Sequence, residues 1–260
     1  MRHFVHYIPI ATTVLAVVFS AVIIPHAKRK GWPAYLTWWA LGVVAYGVGT
    51  LTESVTTLFG WDEQVFRAWY VSGALLGGAP LAQGTVYLLL KKRTADVLSV
   101  ALGVVVAIAA VFVYLAPVTA PPPETYRLTG AVMDWQWVRA FSPFVNNYAF
   151  VFLVGGAVWS AWQYRGAPEA RSRYVGNILI AVGALLPGIG GSFTRFGYVE
   201  VLYVTELVGL SLIFWGYLVM RADRSGSVHR AQQEAAQVAA RSETGEAAAV
   251  PSRKQTPVLS

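Results

Sequence analysis

Apolar stretches of about 20 residues recur along the whole chain, separated by short polar or basic segments. That is the length a helix needs to cross a hydrocarbon layer. Seven can be read, at approximately 4–25, 34–57, 65–90, 97–117, 142–164, 173–193 and 199–220. The pattern predicts an all-α, polytopic membrane protein, a bundle of seven transmembrane helices occupying residues 1–221. Arg2 ahead of the first run resembles a signal peptide. The run is long, however, lacks a small-residue cleavage site and is followed by basic residues, so it reads as a retained span. From 222 to 260 the composition shifts to Ala, Gln, Glu, Arg and Ser, which predicts a largely disordered tail with a short helix around 228–241.

Orientation follows from the connections. Lys28, Arg29 and Lys30 follow the first span, Lys91, Lys92 and Arg93 the third, and Arg165, Arg171 and Arg173 the fifth. Arg221, Arg224 and Arg230 follow the last. The alternate connections are acidic (residues 60–64) or poor in cations (118–141). Basic clusters on one side mark the cytoplasm, so the N-terminus is expected outside and the tail inside. Trp32, Tyr35, Trp61, Trp69, Trp135, Trp137, Trp159, Trp162 and Tyr164 fall near predicted span ends, where rings anchor at the interface.

Composition agrees. Hydrophobic residues make up 56% of the chain and charged residues 13%, against roughly 25% charged in soluble domains. Mean hydropathy is +0.51. The net charge of +7 sits in short runs between apolar segments, which suits anionic lipid and topology rather than nucleic acid. The chain has no cysteine, which removes disulfide and thiolate chemistry.

The spans differ in what they are expected to face. The fourth is nearly devoid of polar groups and is expected at the bundle edge. In the second, Gly42, Tyr46, Gly49 and Glu53 share a face suited to close helix approach. Pro80, among Gly73, Gly77, Gly78 and Gly84, predicts a kink in the third. Pro187 in "LLPGIGGSF" predicts that the sixth unwinds at its outer end. In the long connection, "APPPET" should be extended and "AVMDWQWVRAF" interfacial. Ser142 and Pro143 are expected to cap the fifth span.

The polar residues of the spans gather on one side. Glu206 lies roughly 10 Å below the outer surface, with Glu200 and Tyr203 above it at three-residue steps. Glu53, Arg67, Asn146, Asn147 and Arg195 also fall in the outer half, whereas the inner half holds Gln83, Asn177 and some hydroxyls. A carboxylate at such depth must face the bundle interior, and Arg67, Arg195 and the two asparagines are its candidate partners. These eight residues form the expected ligand or proton site, with Pro80 and Pro187 as hinges.

The topology resembles seven-helix rhodopsins and receptors. A retinal Schiff base is nevertheless excluded, because every lysine lies in a loop or the tail; no cofactor is expected. The histidine spacing offers no metal or haem site within the bilayer, and no catalytic motif appears. The reading that follows is a cell-membrane sensor or receptor-like module binding a small ligand from outside, with a cytoplasmic partner for the tail. Its rivals are a proton-coupled transporter built as 3+1+3 helices and a structural membrane protein. The repeat rests on "WYVSGALLG" in the third span echoing "LYVTELVGL" in the seventh.

Overall fold

A computed structural model describes residues 4–119, 128–194 and 196–243, with side chains as far as Ala222. The described chain is helical: α1 (Ile8–Arg29), α2 (Ala34–Phe59), α3 (Glu63–Trp69), α4 (Ala79–Leu89), α5 (Lys92–Leu115), α6 (Phe141–Ala149), α7 (Gly156–Tyr164), α8 (Arg171–Thr194) and α9 (Val199–Glu243). Among the described residues, six continuous helical stretches are long and apolar enough to cross a membrane: Phe4–Arg29, Ala34–Phe59, Lys92–Leu115, Gln136–Tyr164, Pro168–Thr194 and Val199–Ala222. The protein is thus a multi-helix chain of membrane type. The Arg195 and "APPPET" expectations lie outside the described residues.

The expected third span is broken. Asp62 caps α3 by accepting from the Gln64 and Val65 amides. A π-helical stretch, Tyr70–Leu75, follows. The helix then stops at Leu76–Gly78 and restarts as α4, where Pro80 stands in the first turn. Pro80 is therefore a helix starter rather than a mid-helix kink, as its missing N–H favours. The two halves lie antiparallel along the whole of α2. Gly49 meets Gly73, Gly42 meets Leu81, and Gly84 sits against Trp39. Every residue from Ala79 to Val86 is buried, and the break at Leu76–Gly78 just before them is half-buried. A second π-helical stretch, Phe150–Gly155, joins α6 to α7.

Two other expectations change. α8 runs unbroken through Pro187 and its glycines to Thr194, with Gly183 and Gly190 seating it closely on α9. Ser142 does not cap α6; its hydroxyl donates to the carbonyl of Ala74.

α5 buries only Ala95, Leu102, Ala109 and Val113, a narrow stripe that leaves most of the helix exposed, as expected of an edge position. Its C-terminal end joins Phe66, Tyr70, Met133 and Val138 in a buried apolar cluster. The 128–140 segment thus folds over that end through 3-10 turns, with Trp137 outside. Hydroxyls along the helices, such as Thr12, Ser54, Thr56, Ser72 and Thr205, donate to carbonyls of their own preceding turn. This is how such groups are satisfied in apolar surroundings. The bundle forms one unit through Val219. A second unit starts at Met220, and its described backbone is helical to Glu243, which includes 228–241.

Candidate functional site

α2 presents Gly42, Tyr46, Gly49 and Glu53 on one buried face. Glycines there let α3 approach to backbone distance, which brings the Trp69 indole N–H to 2.9 Å from Glu53 Oε1. From the opposite side α9 delivers Glu206, whose carboxyl group lies within hydrogen-bonding reach of that of Glu53. Tyr46, two turns along α2, donates to the Glu206 backbone carbonyl at 3.2 Å and ties the helices together. Glu53 is 4% exposed. Glu206 keeps some accessible surface, but its Oε2 is sealed.

The hydrogen bonding of this pair is incomplete. Neither Glu53 Oε2 nor Glu206 Oε2 receives a donor among the described residues. Two ionised carboxylates in contact, away from water, repel strongly and are not held together. One proton shared between them removes a charge and supplies the missing donor. Chemically, the arrangement can hold one proton between two carboxyl groups.

Above the pair, Tyr203 is buried and Glu200 is partly exposed. His6 stands against both. It belongs to the 3-10 turn before α1, is 0% exposed, and puts Nε2 3.6 Å from Glu200 Oε1. Its ring meets Tyr203 edge-on at 6.2 Å, and its carbonyl accepts from the Thr57 hydroxyl at 3.1 Å. Lower on the same seam, Thr13 of α1 donates to Thr50 at 3.0 Å and lies 3.4 Å from the Ser54 hydroxyl.

The other expected residues lie elsewhere. Arg67 is buried, but its guanidinium bonds Glu63 and the carbonyls of Val113 and Ala116 at the end of α5. Asn146 donates to the carbonyl of Ala74 at 3.2 Å. That carbonyl precedes the break in the third segment, so Asn146 and Ser142 satisfy a group the interrupted helix leaves over. Asn147 is exposed. Glu53, Tyr203, Glu200 and Glu206 are thus gathered along one seam, while Arg67 and Asn146 serve helix ends.

Three participants were not singled out from the sequence as site residues: His6, Trp69 and Tyr46. The signal for His6 was the polar run Thr50, Ser54, Thr57 flanking Glu53, which marks α2 as facing a polar neighbour. At the opposite end there is a second network. Buried Gln83 donates to Ser99 at 2.7 Å and to the Ala95 carbonyl at 3.0 Å, and accepts from Tyr148. Ser99 donates to Tyr87, and Tyr87 to Asp96, which also pairs with Lys92. His26 Nδ1 lies 2.6 Å from the Tyr217 hydroxyl. Asn177 donates to the carbonyl of Arg173 at 2.7 Å, and Thr37 bonds the carbonyls of Trp32 and Pro33. No family model, curated protein or solved structure matches the chain.

Proposed function

We propose that the protein is a seven-helix sensor of the cell membrane that takes up a proton from outside at the paired carboxyls Glu53 and Glu206. The broken segment 63–89 supplies the seventh crossing. It lies along all of α2, and its irregular backbone packs against Gly49 of α2 and Ala149 of α6, the kind of cover a bilayer demands of such backbone. Counting it puts all four basic clusters on one side, which makes that side cytoplasmic and leaves the N-terminus outside.

The observation that carries the reading is the approach of two carboxyl groups, each with one oxygen sealed from solvent and without a donor among the described residues. Their surroundings are filled by Trp69, Tyr46 and Tyr203, which favours a proton over a larger ligand. Protonation changes what holds α2 to α9. Without the shared proton the two helices carry facing charges; with it they are hydrogen-bonded. Such a difference between two states is what a sensor requires.

Proton-coupled transport is the second reading. It is favoured by the Lys92–Asp96–Tyr87–Ser99–Gln83 chain leading inward from the basic end. Gln83 adjoins Gly84, which packs on Trp39. Trp39 and Glu53 are separated along α2 by a rise of about 21 Å. Buried Phe19, Ile23, Val43, Leu210 and Ile213 fill the bundle below the pair. Sensing is therefore preferred to conduction.

The test is an infrared titration of the purified chain, read in the carbonyl stretch of protonated carboxylic acids. An acid band of the pair should appear on acidification and be lost or displaced in both Glu53→Gln and Glu206→Gln. Reconstituted vesicles should show no net proton flux. A band unchanged in both variants removes the site; steady flux abolished by Glu206→Gln selects the transporter.

A further inference from the structure

Resting on the carboxyl-pair reading, we infer that His6 and Glu200 form the entry through which the pair exchanges its proton with the outer side. A proton needs acceptors at hydrogen-bond steps to cross an apolar layer, and the sealed Oε2 atoms have no direct contact with solvent. The described residues offer a graded series. Glu200, with its side chain 30% exposed, is open to solvent and lies 3.6 Å from the fully buried His6 Nε2. Imidazole can take a proton on one nitrogen and release one from the other, so a buried histidine beside a half-exposed carboxylate suits this transfer.

From His6 two columns lead down. On α9, Tyr203 meets the His6 ring and precedes Glu206 by three residues, one turn along the same face. On α2, the Thr57 hydroxyl is bonded to the His6 backbone and stands one turn above Glu53. The columns converge where the two carboxyls meet. The step moves only protons: Glu200 gives one to His6, His6 passes one to the hydroxyl column, and the carboxyl pair retains it.

The groups facing His6 can be named element by element. α9 contributes Glu200 and Tyr203, and α2 contributes the neutral Thr57, with Glu53 a turn further in. Within the first helix the buried polar neighbour is neutral Thr12. Glu200 is thus the ionisable side chain nearest the His6 ring among these.

The experiment uses the full chain in vesicles, with an outside pH jump and time-resolved infrared detection of the acid band. His6→Phe and Glu200→Gln should each slow protonation on the order of 100-fold, the contribution of a positioned transfer group. The equilibrium band should keep its amplitude, because the pair is untouched. Glu200→Gln guards against misfolding, since that side chain is partly exposed. An equilibrium band of normal size formed at the wild-type rate in both variants overturns the route alone. Absence of any acid band in the wild-type chain overturns the pair and the route with it.

Discussion

The carbonyl oxygen of Gly183 on α8 faces the Cα of Gly209 on α9 so closely that a Cβ on Gly209 would lie 2.5 Å from it. This carbonyl would ordinarily accept from the amide of residue 187, and Pro187 has none. The freed carbonyl is instead covered by glycine backbone from α9, with Pro187 packed beside it. A Cβ on Gly216 would likewise lie 2.6 Å from the Gly176 carbonyl oxygen. We expect Gly209→Ala and Gly216→Ala each to cost about 1–3 kcal/mol through overpacking. Gly103→Ala on α5, where nothing lies within 4 Å, should be neutral or mildly stabilising. Thermal unfolding in detergent separates these outcomes.

The pattern of apolar runs located the helices because twenty-residue spans need little tertiary information to be recognised. Harder to see were places where tertiary contacts decide backbone form. "WYVSGALLG" adopts a π-helical turn and a break, whereas its echo "LYVTELVGL" is regular α-helix within Val199–Glu243. The same residue types thus take different structures according to what packs on them. Pro187 and its three glycines read as a helix breaker in isolation, whereas in context Pro187 and Gly190 pack on α9. In the site, Glu206 and Glu53 were visible as carboxylates among apolar residues. His6 was not, because a histidine at a span end looks interfacial until α2 and α9 close over it.

Arg67 illustrates a buried charge that does not serve the carboxyl pair. Its guanidinium reaches the carbonyls of Val113 and Ala116, left unpaired where α5 ends, and a cation is favoured at a helix C-terminus. Arg67→Met should lower stability by about 2–3 kcal/mol, the loss expected for charge-assisted hydrogen bonds. Arg67→Lys should recover only part of this, since one ammonium does not reproduce the guanidinium fork. In both variants the acid band of the Glu53–Glu206 pair should persist. Its disappearance would mean that Arg67 acts on the pair after all.

The break in the third segment should depend on α6. Ser142 at 2.8 Å and Asn146 at 3.2 Å both donate to the Ala74 carbonyl. Removing one donor leaves the other, so Ser142→Ala and Asn146→Leu should each cost about 1 kcal/mol or less. The double variant orphans the carbonyl and should cost more than the sum of the two. Additive losses would show that the carbonyl finds another partner.

Topology is accessible because the chain has no native cysteine. Phe59 is 82% exposed at the end of α2, and Lys91 is exposed just before α5. With segment 63–89 crossing the membrane, they fall on opposite sides. An impermeant maleimide applied to intact cells should label Phe59→Cys and leave Lys91→Cys unreacted until the membrane is opened. Equal labelling of both in intact cells would remove the seventh crossing and the alternation of basic clusters that depends on it.

The sharpest distinction between a proton site and a purely structural contact comes from comparing two replacements of Glu206. In Glu206→Gln the amide N–H₂ can donate to Glu53 without titrating, which preserves the link between α2 and α9. Stability should stay within about 1 kcal/mol of wild type, while the acid band of the shared proton is displaced to that of Glu53 alone. Glu206→Leu removes the partner altogether and leaves Glu53 with only the Trp69 indole as donor. A buried carboxyl stripped of its partner should cost about 3–5 kcal/mol if it stays charged, and less if it takes up a proton alone. Unfolding measured across pH tells these apart: the loss in Glu206→Leu should be largest at high pH, where Glu53 is forced to ionise, and should shrink on acidification. Equal stability of the Gln and Leu variants at every pH would mean that the two carboxyls do not interact.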